Sequence, residues 1–108
     1  MIWLVGAGQM AIDYAKVLNA LHCEYKVIGR GKVSAAAFKE KLGIDVHLGG
    51  IEMFLALSPQ LPSSVIVSVG VDRLSDTTMA LLNYGVESVL IEKPGGLELN
   101  DIMQLRLK

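Results

Sequence analysis

The sequence has little of what disulfide-rich, nucleic-acid-binding or membrane-spanning proteins require. It contains one cysteine, Cys23, which cannot form a disulfide within the chain and favours a reducing compartment such as the cytoplasm. Ten basic and 11 acidic residues give a net charge of −1, and no run of lysine or arginine marks a nucleic-acid or membrane surface. No apolar stretch approaches the ~20 residues of a membrane span. Because the first apolar segment begins at residue 2, we expect no signal peptide.

What the 108 residues do contain is apolar sequence in short runs. Hydrophobic residues make up 52% of the chain, and the mean hydropathy is +0.45. Strands of a parallel sheet covered on both faces give such a composition. Five apolar runs alternate with helical patterns, which predicts right-handed βαβ units. We therefore expect one domain over residues 1–108, an α/β Rossmann-type doubly wound parallel sheet with strand order 3-2-1-4-5.

The elements are predicted from hydrophobic period and from glycine and proline positions. Strands are expected over residues 2–5, 25–28, 44–46, 65–69 and 88–91. Helices are expected over residues 9–21, 34–42 with Ser34 as N-cap, from 50 or 51 to 57, from 75 or 76 to about 84, and from about 101 onward. Met79 and Leu82 are expected to face the core, as is Tyr14, rather than a ligand. The sheet is expected to be truncated before a sixth strand.

A glycine-rich turn over residues 6–11 follows the first predicted strand directly. Gly6 lets the chain turn, Gly8 leaves room for a pyrophosphate, and Ala11 allows close packing of helix on strand. The amides and positive dipole end of the following helix then face the anion. This order of strand, turn and helix predicts dinucleotide binding, with a glycine turn in some other α/β domain as the alternative. The residues predicted to hold the dinucleotide here are Gly6, Gly8, Gln9 and Met10.

The end of the second predicted strand indicates which dinucleotide is bound. An acidic residue about 20 residues after the glycines binds a ribose 2′-hydroxyl, whereas an arginine suits a 2′-phosphate. This sequence has Gly29 and Arg30, with Lys32 and Ser34 close behind and no carboxylate between Arg30 and Glu40. Arginine donates two parallel hydrogen bonds to phosphate. We therefore predict NADP, with NAD as the second choice; the alternative is a solvated charged turn.

Two other groups of residues bear on ligands. Val69 and Gly70 end the fourth predicted strand, where the chain can lie close to a bound cofactor. His22 and Cys23 are adjacent, but the only other histidine is His47 and a closed metal site needs about four ligands. No metal is predicted.

Glu92, Lys93 and Pro94 follow the fifth predicted strand. With the glycine turn and the β-branched fourth strand, they make the chain resemble the nucleotide-binding domain of the glucose–fructose oxidoreductase/inositol dehydrogenase (Gfo/Idh/MocA) family. The resemblance implies an NAD(P)-dependent oxidoreductase acting on a sugar, sugar derivative or polyol. It implies that Lys93 is catalytic, beside the nicotinamide ribose and the reacting hydroxyl, and that Glu92 lines the cofactor. An ammonium there can stabilise developing negative charge and transfer a proton; a surface Glu-Lys pair is the alternative.

The sequence departs from the family pattern after the fourth strand, where residues 70–75 replace a Thr-Pro-Asn-like stretch and a histidine. One additional residue stands between Gly85 and Glu92. Family members also carry a second domain that supplies the substrate pocket and often an oligomer interface, and residues 1–108 contain no counterpart of it. We therefore expect the cofactor domain of a longer enzyme, inactive alone; a homo-oligomer is only what the resemblance implies.

Two further function classes are weighed against this one. A stand-alone nucleotide-binding module, sensory or regulatory and without catalysis, would have the same glycine turn. A methyltransferase is disfavoured, because its site requires an acidic residue at the end of the second strand, where Gly29 and Arg30 stand.

Overall fold

One parallel sheet organises the chain in the computed structural model, which describes residues 1–69 and 71–91 apart from the side chains of 71 and 72. The strands are β1 (Ile2–Val5), β2 (Tyr25–Ile28), β3 (Val46–His47), β4 (Ser64–Val67) and β5 (Val89–Ile91). The helices are α1 (Gln9–Ala20), α2 (Lys32–Leu42), α3 (Gly50–Ala56) and α4 (Val71–Tyr84). The strand order is β3-β2-β1-β4-β5, which confirms the predicted topology.

The central strand is β1, which pairs in parallel with β2 on one side and β4 on the other. Its side chains are all buried and point alternately to the two faces of the sheet. On one face Leu4 packs with Leu18 of α1 and with residues of α2. On the other face Trp3 packs edge-to-face on Phe54 of α3, with ring centroids 4.9 Å apart. Both faces are therefore covered, as the apolar composition predicted.

The N-cap of helix α2 lies three residues earlier than predicted, so the assignment of Ser34 to that position is wrong. Gly31 is the N-cap, in an extended conformation. Its carbonyl already accepts the Ala35 N–H at 3.2 Å, which closes a helical turn ahead of the predicted start. Ser34 thus lies within the first turn. Gly43 ends the helix with a left-handed φ of 70°, as the sequence predicted.

Helix α4 begins at Val71, four or five residues before the predicted start, and its buried face was predicted wrongly. Met79 and Leu82 are 53% and 50% exposed, whereas Thr77 and Leu81 are 3% and 0% exposed. The buried face of α4 includes the polar residue Thr77. In the sequence that face therefore looks less apolar than the face that carries Met79 and Leu82. Tyr14, by contrast, is buried in the core as expected.

The remaining differences are at strand and helix ends. Strand β3 is Val46–His47 instead of residues 44–46, and β4 ends at Val67 rather than at residue 69. Helices α1 and α3 each end one residue earlier than predicted. Element ends depend on local hydrogen bonding that hydrophobic period does not specify.

Candidate nucleotide-binding site

The turn after β1 fits tightly between the ends of two neighbouring strands. The N–H of Gly6 donates to the Ile28 carbonyl at 2.7 Å, and the N–H of Ser68 donates to the Val5 carbonyl at 2.8 Å. Gly6 has a φ of +124°, and a Cβ on it would lie 2.1 Å from the Ser68 carbonyl oxygen. Only glycine satisfies both constraints.

The N-terminus of α1 opens beside this turn. Gly8 is its N-cap, and no side-chain cap bonds to the first-turn amides. A Cβ on Gly8 would have no atom within 4 Å, so the space above the backbone is clear. A helix start with these properties suits an anion, because its amides and dipole point outward.

A cavity of about 270 Å³ lies at this carboxyl edge of the sheet. Ligand pockets are commonly about 300–1,000 Å³. The volume of this cavity is close to the lower end of that range, which is enough to hold one portion of a dinucleotide. Six residues predicted to bind the cofactor line it together, although their binding stays a prediction. They are Gly6, Gly8, Gly29, Arg30, Ser34 and Val69.

Two other predicted residues, Gln9 and Met10, are exposed and do not line the cavity. The Gln9 side chain donates to Asp13 at 3.3 Å and accepts from Lys41 at 3.5 Å. Any contact of Gln9 or Met10 with a pyrophosphate would therefore come from their backbone amides in the first turn of α1. Gly70, Glu92 and Lys93 lie outside the described residues.

Arg30 is held in an ion pair by a residue of α3. Its Nη2 lies 2.7 Å from Oε2 of Glu52, and the two side chains are 44% and 56% exposed. Glu52 is in the first turn of α3, whose N-cap Gly49 and first residue Gly50 both have positive φ. A Cβ on Gly50 would lie 2.7 Å from Nη2 of Arg30, so the guanidinium lies against bare backbone.

The Glu52 carboxyl has a pKa below its ordinary value. The main cause is a hydrogen bond from its own backbone N–H, which lowers the pKa. Partial burial raises the pKa, whereas the hydrogen bond and charge of Arg30 and the charge of Arg73 lower it further. Glu52 is therefore ionised at neutral pH. The influence of Arg73 places a second guanidinium within electrostatic range of the same carboxylate.

Arg73 and Thr77 line the cavity and were missed by the sequence prediction. A helix start at residue 75 or 76 would leave Arg73 in a loop. Because α4 begins at Val71, Arg73 falls in its first turn and Thr77 follows one turn later. The four-residue spacing of Thr77 and Leu81 on the buried face of α4 was the available signal.

Glu52 was missed because it lies 22 residues from Arg30 in sequence. Gly49 and Gly50 gave a usable signal. Paired glycines after a strand mark a turn, and β3 adjoins β2, so this turn lies at the same sheet edge as Arg30.

Neither metal ligation nor a membrane span is evident in residues 1–69 and 71–91. Over these ranges no three histidine, cysteine, aspartate or glutamate side chains group closely enough to hold a metal ion. None of the helices described there has the length and apolar character to cross a bilayer.

No protein-family model and no curated protein sequence matches this chain. The solved structures that match it in fold include two crystal forms of UDP-N-acetylglucosamine 3-dehydrogenase GnnA from Acidithiobacillus ferrooxidans. Each has a TM-score of 0.63 and 18% sequence identity, over 97% of this chain and 33% of that one. The chain thus spans about a third of the length of these structures. At this identity the match shows the fold alone: a five-stranded α/β Rossmann-like domain.

Proposed function

We propose that this chain is the dinucleotide-binding domain of an NAD(P)-dependent oxidoreductase. The observation that carries the proposal is the cavity at the carboxyl edge, where the glycine turn, the α1 N-terminus and Arg30 come together. Open parallel sheets bind ligands at this edge, at the point where the strand order reverses. Here that point is between β1 and β4.

The residues present fit a dinucleotide. The pyrophosphate would lie against Gly8 and the first-turn amides of α1, including those of Gln9 and Met10. Gly8 leaves clear the space that a side chain would fill, and amides at a helix start hold phosphate without a charged side chain. Gly6 fixes the position of this turn against β4.

The 2′-phosphate of NADP(H) would lie against Arg30 and Ser34, which also line the cavity. A guanidinium and a hydroxyl both donate to phosphate oxygens. NADP(H) is therefore the proposed cofactor, with NAD(H) as the second choice.

Catalysis is proposed for the whole protein from which this domain comes. The nicotinamide would accept or donate hydride. Lys93 would move the proton of the reacting hydroxyl. Contacts with the cofactor are proposed for Val69, Gly70 and Glu92. This follows the resemblance to the Gfo/Idh/MocA family. The matched structures are named as a dehydrogenase of UDP-N-acetylglucosamine; for this chain we propose a sugar, sugar derivative or polyol. The lone Cys23 suits a reducing cytoplasm.

Calorimetric titration of the 108-residue chain with NADP(H) and NAD(H) tests the proposal. We expect tighter binding of NADP(H). Arg30→Ala should weaken it about ten-fold, the lower end of the range for a charge-assisted contact because Arg30 is partly exposed. Lys32→Ala is the matched control, since Lys32 is two residues away, exposed, and not part of the cavity wall.

Three outcomes would count against the proposal. Failure of both dinucleotides to bind refutes the dinucleotide site. Equal or tighter binding of NAD(H) refutes the preference for NADP(H). An equal loss in the Arg30 and Lys32 variants refutes a specific role for Arg30.

A further inference from the structure

The cation proposed to bind the 2′-phosphate already has an anionic partner. Arg30 donates to Glu52 at 2.7 Å, and Glu52 is not among the residues that line the cavity. The Glu52 carboxylate therefore contacts the guanidinium of Arg30, which lines the cavity, and does not line the cavity itself. A bound 2′-phosphate would have to share Arg30 with Glu52 or displace it.

The backbone fixes where this pair stands. The N–H of Gly29 donates to the His47 carbonyl and the N–H of Gly50 donates to the Gly29 carbonyl, both at 2.8 Å. The first bond joins the end of β2 to the end of β3, and the second joins it to the start of α3. Glu52, in the first turn of α3, is thereby held beside Arg30.

The charges around Arg30 have opposite effects on a bound phosphate. Arg30 and Arg73 attract a phosphate, and the ionised Glu52 repels it while neutralising Arg30. A dinucleotide without a 2′-phosphate meets none of this competition. The ion pair therefore bears on one cofactor and not on the other.

We propose that Glu52 is a positioning residue that sets the preference between NADP(H) and NAD(H) by holding Arg30, an inference that rests on the proposed dinucleotide site. With Glu52 in place, the guanidinium is oriented but partly neutralised, so the advantage of NADP(H) is reduced. Removing the carboxylate charge releases Arg30 for the phosphate.

The test is the ratio of Kd for NAD(H) to Kd for NADP(H), measured by calorimetry on the 108-residue chain. Glu52→Gln should raise this ratio about three- to five-fold, the effect of one partly exposed ion pair. Glu52→Ala should raise the ratio too. Glu52→Asp keeps the charge and should leave the ratio within about two-fold of that of the unmodified chain. Glu40→Gln, on the exposed surface of α2, is the matched control and should leave the ratio unchanged.

A double-variant cycle separates action through Arg30 from direct contact with the ribose. In an Arg30→Ala background, Glu52→Gln should no longer change the ratio. A change of the same size in that background overturns the role through Arg30. An unchanged ratio in Glu52→Gln and Glu52→Ala, with both dinucleotides bound, overturns the inference and leaves the proposed function standing. Absence of binding to the unmodified chain instead refutes both. Thermal unfolding of each variant confirms that the ratios refer to folded protein.

Discussion

Replacing Gly6 by alanine is expected to destabilise the domain far more than replacing Gly8, although both stand in one turn. A Cβ at Gly6 would lie 2.1 Å from the Ser68 carbonyl oxygen and 2.9 Å from its carbon. Ser68 cannot retreat freely, because its N–H is bonded to Val5. A strained backbone conformation costs about 1–3 kcal/mol, and forced displacement of packed atoms costs a similar amount. We expect a loss of at least about 3 kcal/mol in the free energy of unfolding.

Gly8 is the matched comparison. Its φ of −81° and ψ of −168° are open to any residue, and its Cβ would meet nothing within 4 Å. Alanine is a poorer N-cap than glycine, but the change removes no side-chain cap hydrogen bond, so Gly8→Ala should cost less than about 1 kcal/mol of stability. Its methyl group would instead occupy the space proposed for the pyrophosphate. Dinucleotide binding should therefore weaken by about ten-fold or more, as for one lost charge-assisted contact.

Thermal unfolding and calorimetric titration of the two variants measure both effects. For a domain of this length, 1 kcal/mol corresponds to about 4 °C in Tm. Gly6→Ala should lower Tm by at least about 12 °C and Gly8→Ala by less than about 4 °C. Equal Tm losses in the two variants would refute the argument from Ser68. Unchanged dinucleotide binding in Gly8→Ala would refute the placement of the pyrophosphate.

Two predictions concern proton transfer and pH. In the full-length protein, Lys93→Ala should lower kcat about 10²- to 10⁴-fold with little change in cofactor affinity. Lys93→Arg should also have a low kcat, because guanidinium does not lose its proton. Single-turnover hydride transfer at the original rate in the alanine variant would contradict this role of Lys93. Burial raises the pKa of Tyr25 above 10.0, against a smaller opposing effect of its bond with Asn19, so the fold favours the protonated phenol. That contribution to stability is complete below pH 10 and is lost as pH rises through the folded-state pKa; alkaline denaturant titrations should show the loss in the unmodified chain and not in Tyr25→Phe.

The topology and the glycine turn could be predicted because their signals are local. The run from Ile2 to Val5 is apolar at every position, and Gly6 and Gly8 follow at once. Such a segment is typical of a buried parallel strand that leads into a helix. The ends of elements were less predictable, as the early starts of α2 and α4 show.

The charge arrangement of the site could be predicted only in part. Arg30 and Ser34 line the cavity, although Ser34 was assigned to a cap that Gly31 provides. The partner of Arg30 could not be found from its neighbours in sequence, because Glu52 belongs to another helix. Such pairs depend on how β3 and α3 dock, which hydrophobic period does not encode.

The pairing of β1 has a consequence for the order in which the chain can fold. Ile2 pairs with Tyr25 on one side, but on the other side with Ser64, more than half the chain away. During synthesis the β1–β2 side can therefore form early, whereas the face that carries Trp3 stays open until α3 and β4 have emerged. Pairings at long sequence separation fold slowly, and unpaired strand edges invite association. Chaperone dependence should accordingly concentrate in nascent chains that have passed β2 but have not reached β4.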